Sequence, residues 1–388
     1  MKRAAEVRDN YVREKPEPIK SDRSGAVVRF AEGHSSRPDF HEHVSRNQTA
    51  RRLAELKGYE FAGDYNPSKR YAGRLYFVPD DTLIGVDTAR RLGIYDEQDL
   101  FGGIVPHPFV ATKTITHPLV NRTADAPDGW SHDLGDRLRD VVLFGFTAFS
   151  RQDARRAGIL VLERGAARIK PSCGIGGRGQ VVVSDVAELD KVIESLDTAE
   201  LSRYGIVVEQ NFANIVTYSV GQVRVGELLA TYYGTQSLTK DNRATEVYGG
   251  STLIVARGDY DALLKLDIPP NVESIISKAR AYEAAVSAVF PDWMASRRNY
   301  DVAEVTDSGT HCGVLEQSWR IGGASPAEVA ALHAFQADPA LGAVRAASAE
   351  VYGTTEVPPE ASVHFQGVDE RLGPMAKYAV VKAHDSSR

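Results

Sequence analysis

The chain has 388 residues, 43% hydrophobic and 25% charged, with a formal net charge of −6. At roughly 150 residues per domain this length holds two or three domains, and the apolar share excludes wholesale disorder. The acidic balance argues against a general binder of nucleic acid or membrane surfaces, which needs a basic field.

Two cysteines, Cys173 and Cys312, are too few to staple so long a chain, which fits a reducing compartment. No run approaches the roughly 18 apolar residues of a membrane span. The basic start, MKRAAEVRDNYVREKPEPIKSDRS, lacks the apolar stretch of a signal peptide, and the C-terminus carries no anchoring signal. The expectation is a cytoplasmic protein with no membrane or nucleic-acid partner and a loose polar tail over 1–24.

From Gly25 the pattern alternates strand and helix. AVVRF is a strand; a helix follows from Val44, with Ala50, Leu53, Ala54 and Leu56 on one stripe and Gly58 as its stop. YEFAG and RLYFVP read as strands around the turn-rich DYNPSKR, and DTARRLGI as a short helix capped by Asp87. With FGGIVP these make a small α/β lobe over 25–106. A second block, 107–203, carries a helix opened by Ser150 with Asp153 three residues on, the strand ARIKPS, the loop CGIGGRG, the strand QVVVS and the capped helix DVAELDKVIESL.

The third block, 204–388, is rich in strands: YGIVVEQNF, TYSVGQVRVG, LLATYYGTQSL and STLIVARG, with a hairpin turn at Gly226-Glu227. A helix, NVESIISKARAYEAAVSAVF, precedes two strands, NYDVAEV and GVLEQSWRIGG. PAEVAALHAFQ and GAVRAASAEVYG read as helices, and SVHFQGV and KYAVVKA as closing strands.

Three segments carry candidate chemistry. In the first, Gly174, Gly176 and Gly179 satisfy GxGxxG, but a strand follows where a dinucleotide fold needs a helix, and no Walker lysine is present. What remains is a glycine hairpin able to lay backbone N–H groups over phosphates, with Lys170 aimed at the same charge. In the second, Val314–Gly323, strand alternation puts Glu316, Ser318 and Arg320 on one face, and Asp301 sits in the preceding strand. Two hard carboxylates suit Mg2+ between phosphates; a solvated Glu–Arg pair is the alternative. The third, Ile206–Phe212, is either a hinge offering backbone groups to a nucleobase or an ordinary buried strand. Of the lesser signals, His41-Glu42-His43 lacks a third metal ligand. His107 and His117, each before a proline, suggest chain shape. Arg297-Arg298 either receive an acidic group or are solvated, and the segments around Tyr232 and Tyr248 either line a pocket or pack.

Together and in this order, the three segments resemble the ATP-grasp superfamily, most strongly over 105–325. GGIVPHPFVATKTITHPLV and VLEQSWRIGGAS are also similar to a bacterial family of unknown function with an ATP-grasp core. The resemblance implies an α/β fold with an N-terminal lobe and two further lobes enclosing ATP. By it, Lys170 and Lys113 would bind the phosphates, and Gly176, Gly177 and Gly179 would form a lid. Glu209, Gln210 and Phe212 would line the adenine and ribose site, mostly through backbone. Thr217 is the nearest equivalent of the family's acidic ribose ligand. Asp301, Glu316 and Ser318 would hold Mg2+, with serine where asparagine is usual, and Arg320 would stabilise the transferring or acyl phosphate. The implied activity is ligation of a small carboxylate to an amine through an acyl phosphate, releasing ADP and phosphate. Alternatives are biotin-carboxylase-like or kinase-like phosphoryl transfer, and a non-catalytic nucleotide-binding regulator. The oligomeric state is open.

Overall fold

The structure, a computed structural model, describes residues 24–31, 40–172, 179–306 and 311–384. The N-terminal lobe is built on a parallel sheet in which Gly25–Phe30 lies between Glu60–Asp64 and Arg74–Pro79. The helix Phe40–Lys57 buries Ala50, Leu53, Ala54 and Leu56, the stripe legible in the sequence. It starts before Val44, and its face joins the core of the C-terminal lobe through Leu332 and Phe335. The short helix Val86–Leu92 is preceded not by an aspartate cap but by Gly85, at φ 87°. That left-handed entry suits glycine, and Asp87 falls inside the first turn.

A four-stranded antiparallel sheet follows, in the order Gly145–Ala148, Ile206–Gln210, Ala167–Pro171, Val181–Val183. The helices Arg151–Leu162 and Val186–Glu194 cover it, sharing a core of Ala154, Ala157, Val161, Ile169, Leu189 and Val208. Both begin at side-chain caps: Ser150 Oγ accepts from the Asp153 N–H, and Asp185 accepts from that of Glu188.

The largest element is an eight-stranded antiparallel sheet. Its order is His311–Ser318, Arg297–Val305, Ile215–Val225, Leu228–Lys240, Glu246–Arg257, Ala343–Tyr352, Gly373–Ala383, Ser362–Asp369. The helix Pro270–Val289 packs on one region of it through Ile275, Ile276, Ala279 and Tyr282, and Ser325–Ala337 on another through Ala327, Ala331, Leu332 and Phe335. GAVRAASAEVYG is a strand here, not a helix, paired on both sides, with Glu246–Arg257 and with Gly373–Ala383. Two complete ladders override the helical preference of an alanine-rich run. No described helix is long and apolar enough to cross a membrane.

The N-terminal lobe closes around a buried ion pair. Arg29 Nη2 donates to both oxygens of Asp80, at 2.8 and 2.7 Å, and each side chain is 2% exposed. Removing one partner of such a pair leaves the other charge buried alone. Arg29→Ala is expected to cost about 3–5 kcal/mol, read as a lowered urea midpoint with an unchanged slope.

Candidate active site

Strand pairing assembles the first half of the site. Lys170 lies opposite Val207 in the antiparallel ladder, which puts Glu209, two residues on, diagonally beside it on the same face. Lys170 Nζ is 2.5 Å from Glu209 Oε1, and His117 Nε2 is 3.3 Å from Glu209 Oε2. All three side chains are buried. Burial alone would push the Glu209 carboxyl up, but the Lys170 ammonium and His117 override it and hold it at about 2. Gly145 faces Glu209 across the sheet, and a Cβ there would stand 2.9 Å from Glu209 Cβ and 3.0 Å from His117 Cε1. The bare glycine is what lets the carboxylate and imidazole meet.

The rest of the hinge segment is anchored through backbone and packing. The Gln210 N–H donates to Phe144 O at 3.0 Å. Phe212 packs against the cluster of Leu143, Ala303 and Val305. Thr217 pairs with Ala303 near one end of its strand. Gly179 adopts φ +76° beside Pro171, a left-handed turn as the chain returns to the sheet. Cys173, Gly174, Gly176 and Gly177 lie outside the described residues.

The second half sits on the large sheet. Asp301 and Glu316 are direct partners on adjacent antiparallel strands, and the register slips immediately after them, so that Val302 pairs with Val314. This bulge at Leu315 re-aims Glu316 relative to the residues before it. Glu316 Oε2 lies 2.6 Å from Lys113 Nζ. Asp301 Oδ1 accepts from Gln236 Nε2 at 2.8 Å and from Asn299 Nδ2 at 3.1 Å. Burial, with the charge of Glu316 beside it, raises the Asp301 carboxyl above the usual range. Ser318 Oγ accepts from Arg297 Nη1 at 3.3 Å. Arg320 donates to the neighbouring Ile321 O at 2.8 Å and stands 3.6 Å from Asp81 of the N-terminal lobe. Burial lowers the Arg320 pKa.

One short segment joins the halves. Lys113, at the start of the 3-10 turn Lys113–Thr116, reaches Glu316, while His117 just beyond it reaches Glu209. Gln317 Nε2 pins this segment to the large sheet through Val110 O and Thr112 O, at 3.1 and 2.7 Å. Thr147 Oγ ties it to the smaller sheet through Thr114 O at 2.6 Å. His117, whose place before Pro118 suggests chain shape, contacts Glu209 in the structure. Arg297 and Arg298 are neither solvated nor open. Arg297 is 1% exposed and pairs with Glu328, while Arg298 contacts Glu97 and Glu283. Of the His-x-His pair, His43 Nδ1 lies 3.0 Å from Arg29 Nη1.

The site thus holds two carboxylates opposed across a ladder, two buried lysines, one on the smaller sheet and one on the 3-10 turn between the sheets, and an arginine beside Asp81. N5-carboxyaminoimidazole ribonucleotide synthetase, solved as its ADP complex, superposes with a TM-score of 0.52 at 10% identity, covering 93% of each chain. N5-carboxyaminoimidazole synthetase from Staphylococcus aureus, complexed with ADP, gives 0.52 at 11% identity over 92% of this chain and 94% of that one. These likenesses define the fold, which is the α/β ATP-grasp fold. The family described as protein of unknown function (DUF3182) matches residues 29–379, and the chain belongs to it. No curated protein matches the chain in sequence.

The Glu209 carboxyl gives a pH test. Its folded value of about 2 is below the ordinary 4.5, so the stability it contributes is present above about 4.5 and is lost as pH falls toward 2. Glu209→Gln is expected to lower stability at neutral pH and to flatten the acid limb over that window, measured by denaturant unfolding at stepped pH.

Proposed function

We propose that the chain is an ATP-dependent carboxylate–amine ligase that works through an acyl phosphate and releases ADP and phosphate. The observation that carries this reading is the Asp301–Glu316 pair with Lys113 2.6 Å from Glu316, in a fold whose solved relatives bind ADP. The donor set fits a hard divalent cation: two carboxylates face each other, and burial together with mutual charge holds one of them above its ordinary pKa. Asp301 and Glu316 would hold Mg2+, which supplies charge neutralisation between the nucleotide phosphates.

The chain's own groups divide the remaining work. Lys113 and Lys170 exchange their carboxylate partners for phosphate oxygens, which keeps each buried ammonium paired throughout. The hinge Glu209, Gln210 and Phe212 lines the nucleotide, with Thr217 nearest the ribose. A substrate carboxylate oxygen attacks the γ-phosphorus and the bond to the bridging oxygen breaks, releasing ADP. An amine then attacks the acyl carbon, loses its proton, and inorganic phosphate leaves. Arg320 neutralises the charge on the acyl phosphate, and exclusion of water protects that intermediate. Ser318 is the weakest of the assigned metal ligands, because its hydroxyl already accepts from a guanidinium.

The test is ADP release with a pool of small carboxylates and Mg2+, with hydroxylamine as the amine. An acyl hydroxamate forming in step with ADP is expected, and Lys170→Ala should lower the rate by roughly 100-fold or more. ADP release without a hydroxamate would favour a kinase-like reaction; cleavage to AMP would overturn the proposal.

A further inference from the structure

Glu328 is fully buried in the first turn of the helix Ser325–Ala337, at 0% exposure, yet two polar side chains converge on it. Arg297 donates through Nε at 2.9 Å and through Nη2 at 2.8 Å, and Tyr232 Oη lies 2.5 Å from Glu328 Oε1. Both partners continue outward. Arg297 Nη1 donates to Ser318 O at 3.1 Å, to Ser318 Oγ at 3.3 Å and to Arg320 O at 2.5 Å. The one Tyr232 hydroxyl proton is shared in a three-centre contact between Glu328 Oε1 and Asn299 Oδ1, 2.9 Å away, and Asn299 Nδ2 donates to Asp301 Oδ1 at 3.1 Å.

A single carboxylate therefore fixes both ends of the site: through Tyr232 and Asn299 it reaches Asp301, and through Arg297 it reaches the Ser318–Arg320 backbone. The space for this is built in. A Cβ at Gly221 would fall 2.4 Å from Tyr232 Oη, so only glycine there leaves room for the phenol. Stability does not account for the arrangement, because a buried ion pair is commonly no more stabilising than apolar residues of the same volume. What it does supply is fixed placement of polar atoms in a low-dielectric interior.

We propose that Glu328 is a positioning residue for the metal-bound nucleotide, acting through Tyr232–Asn299 on Asp301 and through Arg297 on Ser318 and Arg320. This rests on the reading of Asp301 and Glu316 as the Mg2+ ligands. It adds that Mg2+ affinity is set by a helix that touches neither metal nor nucleotide.

The experiment is calorimetric titration of ADP in excess Mg2+ and again in EDTA, for the wild-type chain, Glu328→Gln and Tyr232→Phe. The wild type should bind ADP more tightly with Mg2+. Glu328→Gln should lose on the order of tenfold in the Mg2+-dependent part of that affinity, as outer-shell partners of a metal site do. Tyr232→Phe should lose a smaller part of the same quantity, and binding in EDTA should be unchanged in both. A structural role alone would move both affinities together. Glu328→Gln leaves Arg297 buried without its charge partner, so if that variant does not fold, the nearly isosteric Tyr232→Phe decides. An unchanged Mg2+ effect in the folded variants overturns the inference and leaves the ligase reading standing. A wild-type chain that binds no ADP under either condition overturns both.

Discussion

Lys113 and Lys170 are almost wholly buried, at 5% and 4% exposure, and burying an ammonium requires a carboxylate partner to offset its lost hydration, which each of them touches. This one requirement organises the cleft. It places Glu209 diagonally beside Lys170 on the smaller sheet, brings Glu316 toward Lys113 on the larger one, and needs Gly145 bare so that His117 can reach the same carboxylate. Under the proposed ligase reading it also reconciles a net charge of −6 with a phosphate ligand. Within the cleft each lysine is already paired, so on that reading an incoming phosphate would replace one anion by another without burying a further cation.

The segment 110–118 follows from the same requirement. Its two polar ends look in different directions, Lys113 to the large sheet and His117 to the small one, so its backbone must be fixed to both. Gln317 and Thr147 do this from opposite sides. Gln317 is the neighbour of Glu316 in the strand, and alternation turns it away from the cleft, toward the loop that delivers Lys113. Adjacent residues of one strand thus set the two members of one ion pair, one by contact and the other through its support.

The sequence made the local devices legible. Ser150 and Asp185 cap helices, Gly226-Glu227 turns a hairpin between Val225 and Leu228, and Asp301 and Glu316 lie on successive strands. Each is decided by residues a few positions apart or by strand period. What was hidden depends on distant partners. Glu328 meets Tyr232 across 96 residues and Glu209 meets His117 across 92; the segment of Glu209 stands out in the sequence, but neither contact is marked by the neighbouring residues. The run GAVRAASAEVYG was misread for the same reason: its alanines favour a helix locally, and only the ladders on both sides make it a strand. The bulge at Leu315 is equally invisible, because it exists only relative to the partner strand.

The seam between the lobes shows where the charge requirement is least strictly met. Arg29 takes both oxygens of Asp80 at 2.7 and 2.8 Å. Arg46 is left with Glu42 at 3.4 Å and the same Asp80 at 3.6 Å, and Arg320 with Asp81 at 3.6 Å. Long, partly exposed pairs of this kind contribute little, and the Arg320 guanidinium has donors to spare beyond its bond to Ile321 O. Under the proposed ligase reading these are the contacts a substrate carboxylate would displace most cheaply. On the same reading the better-made pairs, Lys113–Glu316 and Lys170–Glu209, would give way to phosphate, which carries more charge, so the tight pairs would serve the nucleotide and the loose Arg320–Asp81 contact the substrate that has to enter and leave.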